Sequence, residues 1–182
     1  VLTVGFDALL DRTAQTLTQT GRAWVPQRDF RSLAPFAQGN LALADGLVRL
    51  AGGLRWENVR LSVPDYTTLA FYGSQQVGGG TPSFKRVLWN GGAIIEPLAG
   101  VRAYGSYAEG YTIADVGRIL RAVDEPGIDI DDFIALEPVI SNNREVGLEV
   151  ERGPLEASVS YYWSSSKLGS LLVENAGGIF DV

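Results

Sequence analysis

Cysteine and histidine are both missing from the 182 residues. Without cysteine there is no disulfide, no zinc–thiolate centre and no thiol nucleophile. Without histidine the usual general base and the commonest transition-metal ligand are gone. Of the 15 cationic residues only Lys85 and Lys167 are lysines, the arginines are scattered singly, and the net charge is −6. No basic stripe is left to hold a nucleic acid. Long apolar runs are also lacking, so no membrane-spanning helix is expected. The chain opens on Val1 without a signal-peptide pattern. It stops at Val182, just after a glycine pair where a new strand is starting. The expectation is a section of a longer chain.

Apolar residues nonetheless make up 46% of the sequence, with 22 glycines, and they are dispersed rather than blocked. Dispersal suits strands that face water on one side and an apolar medium on the other. A soluble all-β domain has the same composition, and on composition alone it is the plainer reading.

Alternation carries more information. From Asn143 to Ser164 the chain reads as one hairpin with a two-residue rhythm. Val146, Leu148 and Val150 share a face, opposite Glu145, Gly147, Glu149 and Glu151. After a turn at Arg152-Gly153-Pro154, Leu155, Ala157, Val159, Tyr161 and Trp163 share a face, opposite Glu156, Ser158, Ser160, Tyr162 and Ser164. Each arm is about ten residues, the length a tilted strand needs to cross a bilayer. Tyr161 and Trp163 fall where an interfacial aromatic girdle belongs.

Two earlier hairpins repeat the pattern. Ala37–Ala44 turns at Asp45-Gly46, a strong hairpin signal, and returns over Leu47–Glu57. On the outgoing arm Phe36 falls opposite Leu41 and Leu43, with Gln38 and Asn40. Gly92–Glu96 turns at Pro97-Leu98-Ala99-Gly100 and returns over Val101–Tyr111. A competing register instead turns at Asn90-Gly91, between Phe84–Trp89 and Gly92–Pro97.

With Val1–Phe6 this makes seven strands and the start of an eighth. Long connections are expected at Asp7–Pro35, about Asn58–Phe84 and Thr112–Asn142, with a fourth after Ser164. Ile113–Val123 reads as a short helix inside the third. Short turns at one end and long loops at the other are the layout of an outer-membrane barrel.

The residues also resemble a family. Tyr104-Gly105-Ser106-Tyr107-Ala108-Glu109-Gly110-Tyr111 leads into Ala114-Asp115-Val116-Gly117-Arg118. Leu136-Glu137-Pro138 and Asn143-Arg144-Glu145-Val146-Gly147 follow, and Ala34–Val59 forms the earlier hairpin. In order and spacing these resemble the β-barrel of TonB-dependent outer-membrane receptors over about two-thirds of the chain. One departure is Ala114, where the family often has proline.

The resemblance implies an all-β antiparallel meander, part of a transmembrane barrel in the outer membrane of a Gram-negative bacterium. Residues 1–182 would form one partial barrel domain; the plug domain, the TonB box and the C-terminal strand are absent from them. Closing such a barrel takes about 22 strands, so seven or eight make a curved sheet with two raw edges. The implied activity is uptake of a ferric siderophore or similar scarce ligand, with TonB acting through the plug and outer-membrane lipid around the barrel. A passive porin, a structural outer-membrane barrel and a soluble β-sandwich binding module are the alternatives.

No catalytic set, no metal set and no cofactor is expected. Ser164-Ser165-Ser166-Lys167 fits S-x-x-K, but it leaves a strand into a polar loop instead of opening a buried helix. Val77-Gly78-Gly79-Gly80-Thr81 lacks phosphate-loop spacing and reads as a flexible loop. Asp124, Glu125, Asp129, Asp131, Asp132 and Glu137 crowd one loop without a calcium-loop spacing. Arg49, Arg55, Glu57, Glu145, Glu149 and Glu151 read as lumen-facing. For ligand capture the resemblance points to the loops, where Tyr66, Phe71, Tyr72, Arg118 and Arg121 offer aromatic faces and cationic forks suited to anionic, aromatic chelates.

Overall fold

A computed structural model of the chain describes residues 1–113, 115–133 and 138–166, and the segments 173–174 and 180–181. Ala114, Leu136, Glu137, Lys167 and Val182, singled out above, lie outside the described residues. The elements run β1 (Leu2–Thr16), β2 (Ala23–Leu43), β3 (Val48–Ser62), β4 (Tyr66–Thr67), β5 (Gln76–Val77), β6 (Ser83–Leu98), β7 (Val101–Thr112), α1 (Val116–Arg121), α2 (Ile130–Phe133), β8 (Val139–Arg152), β9 (Leu155–Ser166), β10 (Val173–Glu174) and β11 (Phe180–Asp181). Seven strands form one antiparallel sheet in the order β1-β2-β3-β6-β7-β8-β9. The strand expected to start near the end of the chain pairs locally, β11 with β10, outside that sheet.

The three short turns lie at one end of the sheet. The first passes Ala44 (φ 50°), Asp45 (φ 54°) and Gly46 (φ 93°), the second Gly100 (φ 76°), the third Gly153 (φ 58°) before Pro154. Arg152 faces Leu155 directly, so Gly153-Pro154 is a two-residue hairpin turn with glycine at its left-handed position. The competing register fails: Asn90 and Gly91 sit inside β6, paired with Gly53 and Gly52 of β3.

The loop expected over Asp7–Pro35 is a correction. Nearly all of it is strand, with Leu10 opposite Arg31 and Thr13 opposite Arg28, and only residues 17–22 connect β1 to β2. The period-2 signal vanishes because the ladder continues where both faces are mixed. Arg12, Asp29 and Arg31 lie on one face; Leu9, Asp11 and Phe30 lie on the other. Hydrogen bonding persists after the hydrophobic pattern has stopped. The other two long connections are shorter than expected but real, since β3 reaches Ser62, β6 starts at Ser83 and β8 starts at Val139.

Register assigns the two faces of the sheet. One carries Leu33, Leu41, Leu50, Leu54, Ile95, Val146, Leu148 and Val159, all exposed. No second layer covers this face among the described residues, which rules out the two packed sheets of a soluble sandwich. Trp56 lies eight residues beyond Val48, Trp89 nine beyond Leu98 and Trp163 eight beyond Leu155. The three tryptophans therefore sit at one height, roughly 20–25 Å above the short turns, the height of an apolar barrel band.

The opposite face is polar near the turns. Arg49, Glu96, Arg102, Glu149 and Glu151 form a charge ladder: Arg49–Glu96 is 3.6 Å, Arg102–Glu96 3.5 Å, Arg102–Glu149 3.6 Å and Arg102–Glu151 3.7 Å. Higher up, the Tyr104 ring lies over Gly147 and its hydroxyl donates to Glu145 at 2.9 Å. Higher still, Arg55 is ion-paired with both Asp7 and Glu57. The residues expected to face the lumen thus share one face.

The long loops fold onto this inner face at the far end. Val59, Leu61 and Phe84 of the strands make one buried cluster with Val63 and Val77 of the second loop and Val116, Leu120, Val123 and Ile130 of the third. A single sheet has no core of its own, and this cluster is the only apolar core among the described residues.

Candidate functional site

Helix α1 starts where Asp115 accepts the Gly117 N–H at 3.1 Å, an N-cap. It places Leu120 in the loop core and leaves Arg118 and Arg121 at its outer edge. A second anchor comes from β4: the Tyr66 hydroxyl donates to the Leu120 carbonyl at 2.6 Å. Burial pushes the Tyr66 phenol above its ordinary range, so it stays a neutral donor. Tyr66 packs against the core, and its hydroxyl is already engaged.

Phe71 and Tyr72 sit on a single helical turn, Ala70–Tyr72, closed by Gly73 at φ 86°. Their rings meet edge to face at 5.1 Å. Tyr72 in turn lies 6.5 Å from Trp24, at the far end of β2. The Arg121 guanidinium stands over Trp24, 5.2 Å from its ring centre, within cation–π range. Phe71, Tyr72, Trp24 and Arg121 are therefore one continuous strip, drawn from three segments distant in sequence. Phe71, at 81% exposure, is its open end. Arg118 stands apart, 3.3 Å from Asp115. Trp24 is the member that sequence reasoning missed, although it lies in a stretch read as loop, because nothing in the sequence brings it near Tyr72 and Arg121. An aromatic beside Val25 and Pro26 was the available signal.

The glycine run is a second correction. Every N–H from Gly78 to Thr81 is donated: to Ile128 O (2.9 Å), to Asp65 Oδ1 (2.7 Å), to Val63 O (2.9 Å) and to Asp131 Oδ1 (2.6 Å). None remains for a phosphate. The run is a backbone seam that ties the second loop to the third, and it needs glycine because a Cβ on Gly79 would lie 2.5 Å from Val63 O. Gly79→Val is expected to open this seam. Hydrogen exchange at Val63, Gly78 and Gly80 should accelerate about fivefold or more, one broken backbone bond being worth roughly 1 kcal/mol. Unchanged protection would show that the two loops are held by their apolar core alone.

The seam also accounts for part of the acidic loop. Asp131 holds Thr81, and Asp129 accepts the Asp131 N–H at 2.9 Å. No group of three or more potential metal ligands occurs among the described residues. Ser164 is a strand residue whose hydroxyl donates to Asn143 at 2.7 Å, and it lies inside β9, which runs to Ser166.

One apolar uncovered face, a girdle at constant height, a polar inner wall and short turns at one end define a section of a transmembrane β-barrel. Comparison with known proteins narrows the class. The family described as TonB dependent receptor-like, beta-barrel matches residues 3–167, and the chain belongs to that family, a family of the Gram-negative outer membrane. Among solved structures, one titled Copper transporter OprC is similar, with a TM-score of 0.61 at 16% identity. The match covers 88% of this chain and 27% of that one, so this chain spans about a quarter of that protein's length. At such identity the likeness concerns the fold.

Proposed function

We propose that the chain is one section of the barrel of an energy-driven outer-membrane receptor that takes up a ferric siderophore or a similar scarce, anionic chelate. Its partners are the ligand, the surrounding lipid and TonB, reached through a plug domain outside this sequence. The observation that carries the reading is the strip of Phe71, Tyr72 and Trp24 beside Arg121. It offers π faces and a fixed cation at the rim, the chemistry that holds a flat, anionic, aromatic ligand. The loop core that carries the strip rests on the inner wall, so a captured ligand would lie at the mouth of the lumen.

Two substitutions test the site in the full-length receptor. Phe71→Ala and Arg121→Ala should each weaken binding of a ferric catecholate about 5- to 30-fold, the range of one stacking or cation–π contact. Phe71 is exposed and Arg121 lies at the rim, so folding is not at stake. Affinities within about twofold of the parent for both variants would remove the strip from the site. Transport class is tested separately: uptake should stop in cells lacking TonB. Uptake that continues there would favour a passive porin.

A further inference from the structure

We propose that Arg31, Arg60 and Lys85, on the outward face just beyond the tryptophan girdle, bind the phosphate groups of an outer-leaflet lipid. Arg31 and Arg60 are direct cross-strand partners on β2 and β3, and Lys85 lies one outward step away, paired with Asn58. All three are exposed. Like charges directly opposite each other in a sheet repel, and such a pair is favourable only with an anion between or above it. Asp29, on the same face, takes the fork of Arg12 through bonds of 2.7 and 2.8 Å and acts on Arg31 only through space. No ion pair joins Arg31, Arg60 or Lys85 to an acid among the described residues.

Height supplies the second argument. Arg31 lies twelve residues from Leu43, Arg60 twelve from Val48 and Lys85 thirteen from Leu98. The three thus share one level, four residues beyond Trp56 and Trp89, or roughly 10 Å farther from the short turns. That is headgroup depth for a bilayer whose hydrocarbon ends at the girdle. Leu10, the neighbour of Arg31 on β1, is 78% exposed at the same level, and below the cations the face is apolar, suited to acyl chains. A soluble anion would use the cations alone. A lipid uses the cations and the apolar face together.

The test uses the full-length receptor in detergent micelles, titrated with diphosphoryl lipid A, its deacylated phosphosugar and phosphatidylcholine. With each cation contributing about fivefold, the triple variant R31Q/R60Q/K85Q should bind diphosphoryl lipid A on the order of 100-fold more weakly. Arg152→Gln, a cation at the turn end of the same face, should leave it unchanged. Without lipid the triple variant should be at least as heat-stable as the parent, because the Arg31–Arg60 repulsion is gone. Binding by the triple variant within about threefold of the parent would overturn the proposal. So would equal affinity for phosphatidylcholine, or for the deacylated phosphosugar, which would mark a soluble phosphate ligand. The inference rests on the outward placement of this face, which Leu148→Arg tests without touching the three cations.

Discussion

Leu148→Arg in the full-length protein is expected to lower barrel stability by about 2–4 kcal/mol, the cost of an arginine facing lipid near the midplane. Leu148 sits four residues above the end of β8, directly opposite Val159, and both are more than half exposed on the uncovered face. Four residues on a tilted strand are roughly 10 Å, close to half of a 25 Å band. The expected loss makes the folded fraction about 30- to 1000-fold less favoured. Urea titration of the receptor folded into phospholipid vesicles reads it directly. The contrast is Ser158→Arg, next to Val159 but on the inner wall, where Glu149 is its cross-strand partner. An arginine there meets water and a carboxylate and should be nearly neutral. If this face met water instead, both substitutions would fall within about 0.5 kcal/mol, as surface changes usually do. Equal effects of the two would end the assignment of faces.

The sheet was legible wherever one side of a strand had a single chemical task. From Asn143 to Ser164 apolar and polar residues alternate because lipid and lumen alternate, and the observed register agrees. The same holds for Val48–Trp56 and Val101–Tyr107. Legibility ends where the strands leave the bilayer. Residues 7–16 and 23–35 keep their hydrogen bonds, but with polar groups on both sides no face records the pairing. The loop core was hidden for another reason. Leu120, Ile130, Val77 and Val59 are scattered over the sequence and meet only because two loops fold onto the inner wall. Glycine misled in the run Gly78–Gly80: its rarity of side chain reads as freedom in a sequence, whereas here it permits close backbone contact. Of the ligand candidates, Phe71, Tyr72 and Arg121 were named because the resemblance pointed to the loops and their side chains suit an anionic, aromatic chelate. Their assembly through Trp24 needed the topology, since β2 had to extend past the bilayer for Trp24 to reach them.

Glu57→Ala should destabilise the receptor by about 3 kcal/mol, which a double substitution should largely restore. Glu57 is 1% exposed on the inner wall, the most buried acid described. It pairs with Arg55, and its Oε2 accepts hydrogen bonds from Ser32 at 3.4 Å and from Tyr111 at 3.3 Å. Tyr111 belongs to β7, which has parted from β6 above Ala108, and its ring meets Phe84 at 5.5 Å. Glu57 therefore joins β2, β3 and β7 across the opening, just beneath the loop core. Removing one member of a buried pair usually costs about 3–5 kcal/mol, because the other charge is left alone. Here the loss falls at the low end: Arg55 keeps Asp7 as a partner, its side chain is 34% exposed, and the two hydroxyl bonds are long. Arg55→Leu with Glu57→Leu removes both charges and fills the space, and such exchanges are often neutral or better. The pair should then unfold within about 1 kcal/mol of the parent in urea. A double variant as unstable as Glu57→Ala would mean that the three-strand junction depends on hydrogen bonds to the carboxylate and not on charge balance. In that case Tyr111→Phe alone should reproduce part of the loss.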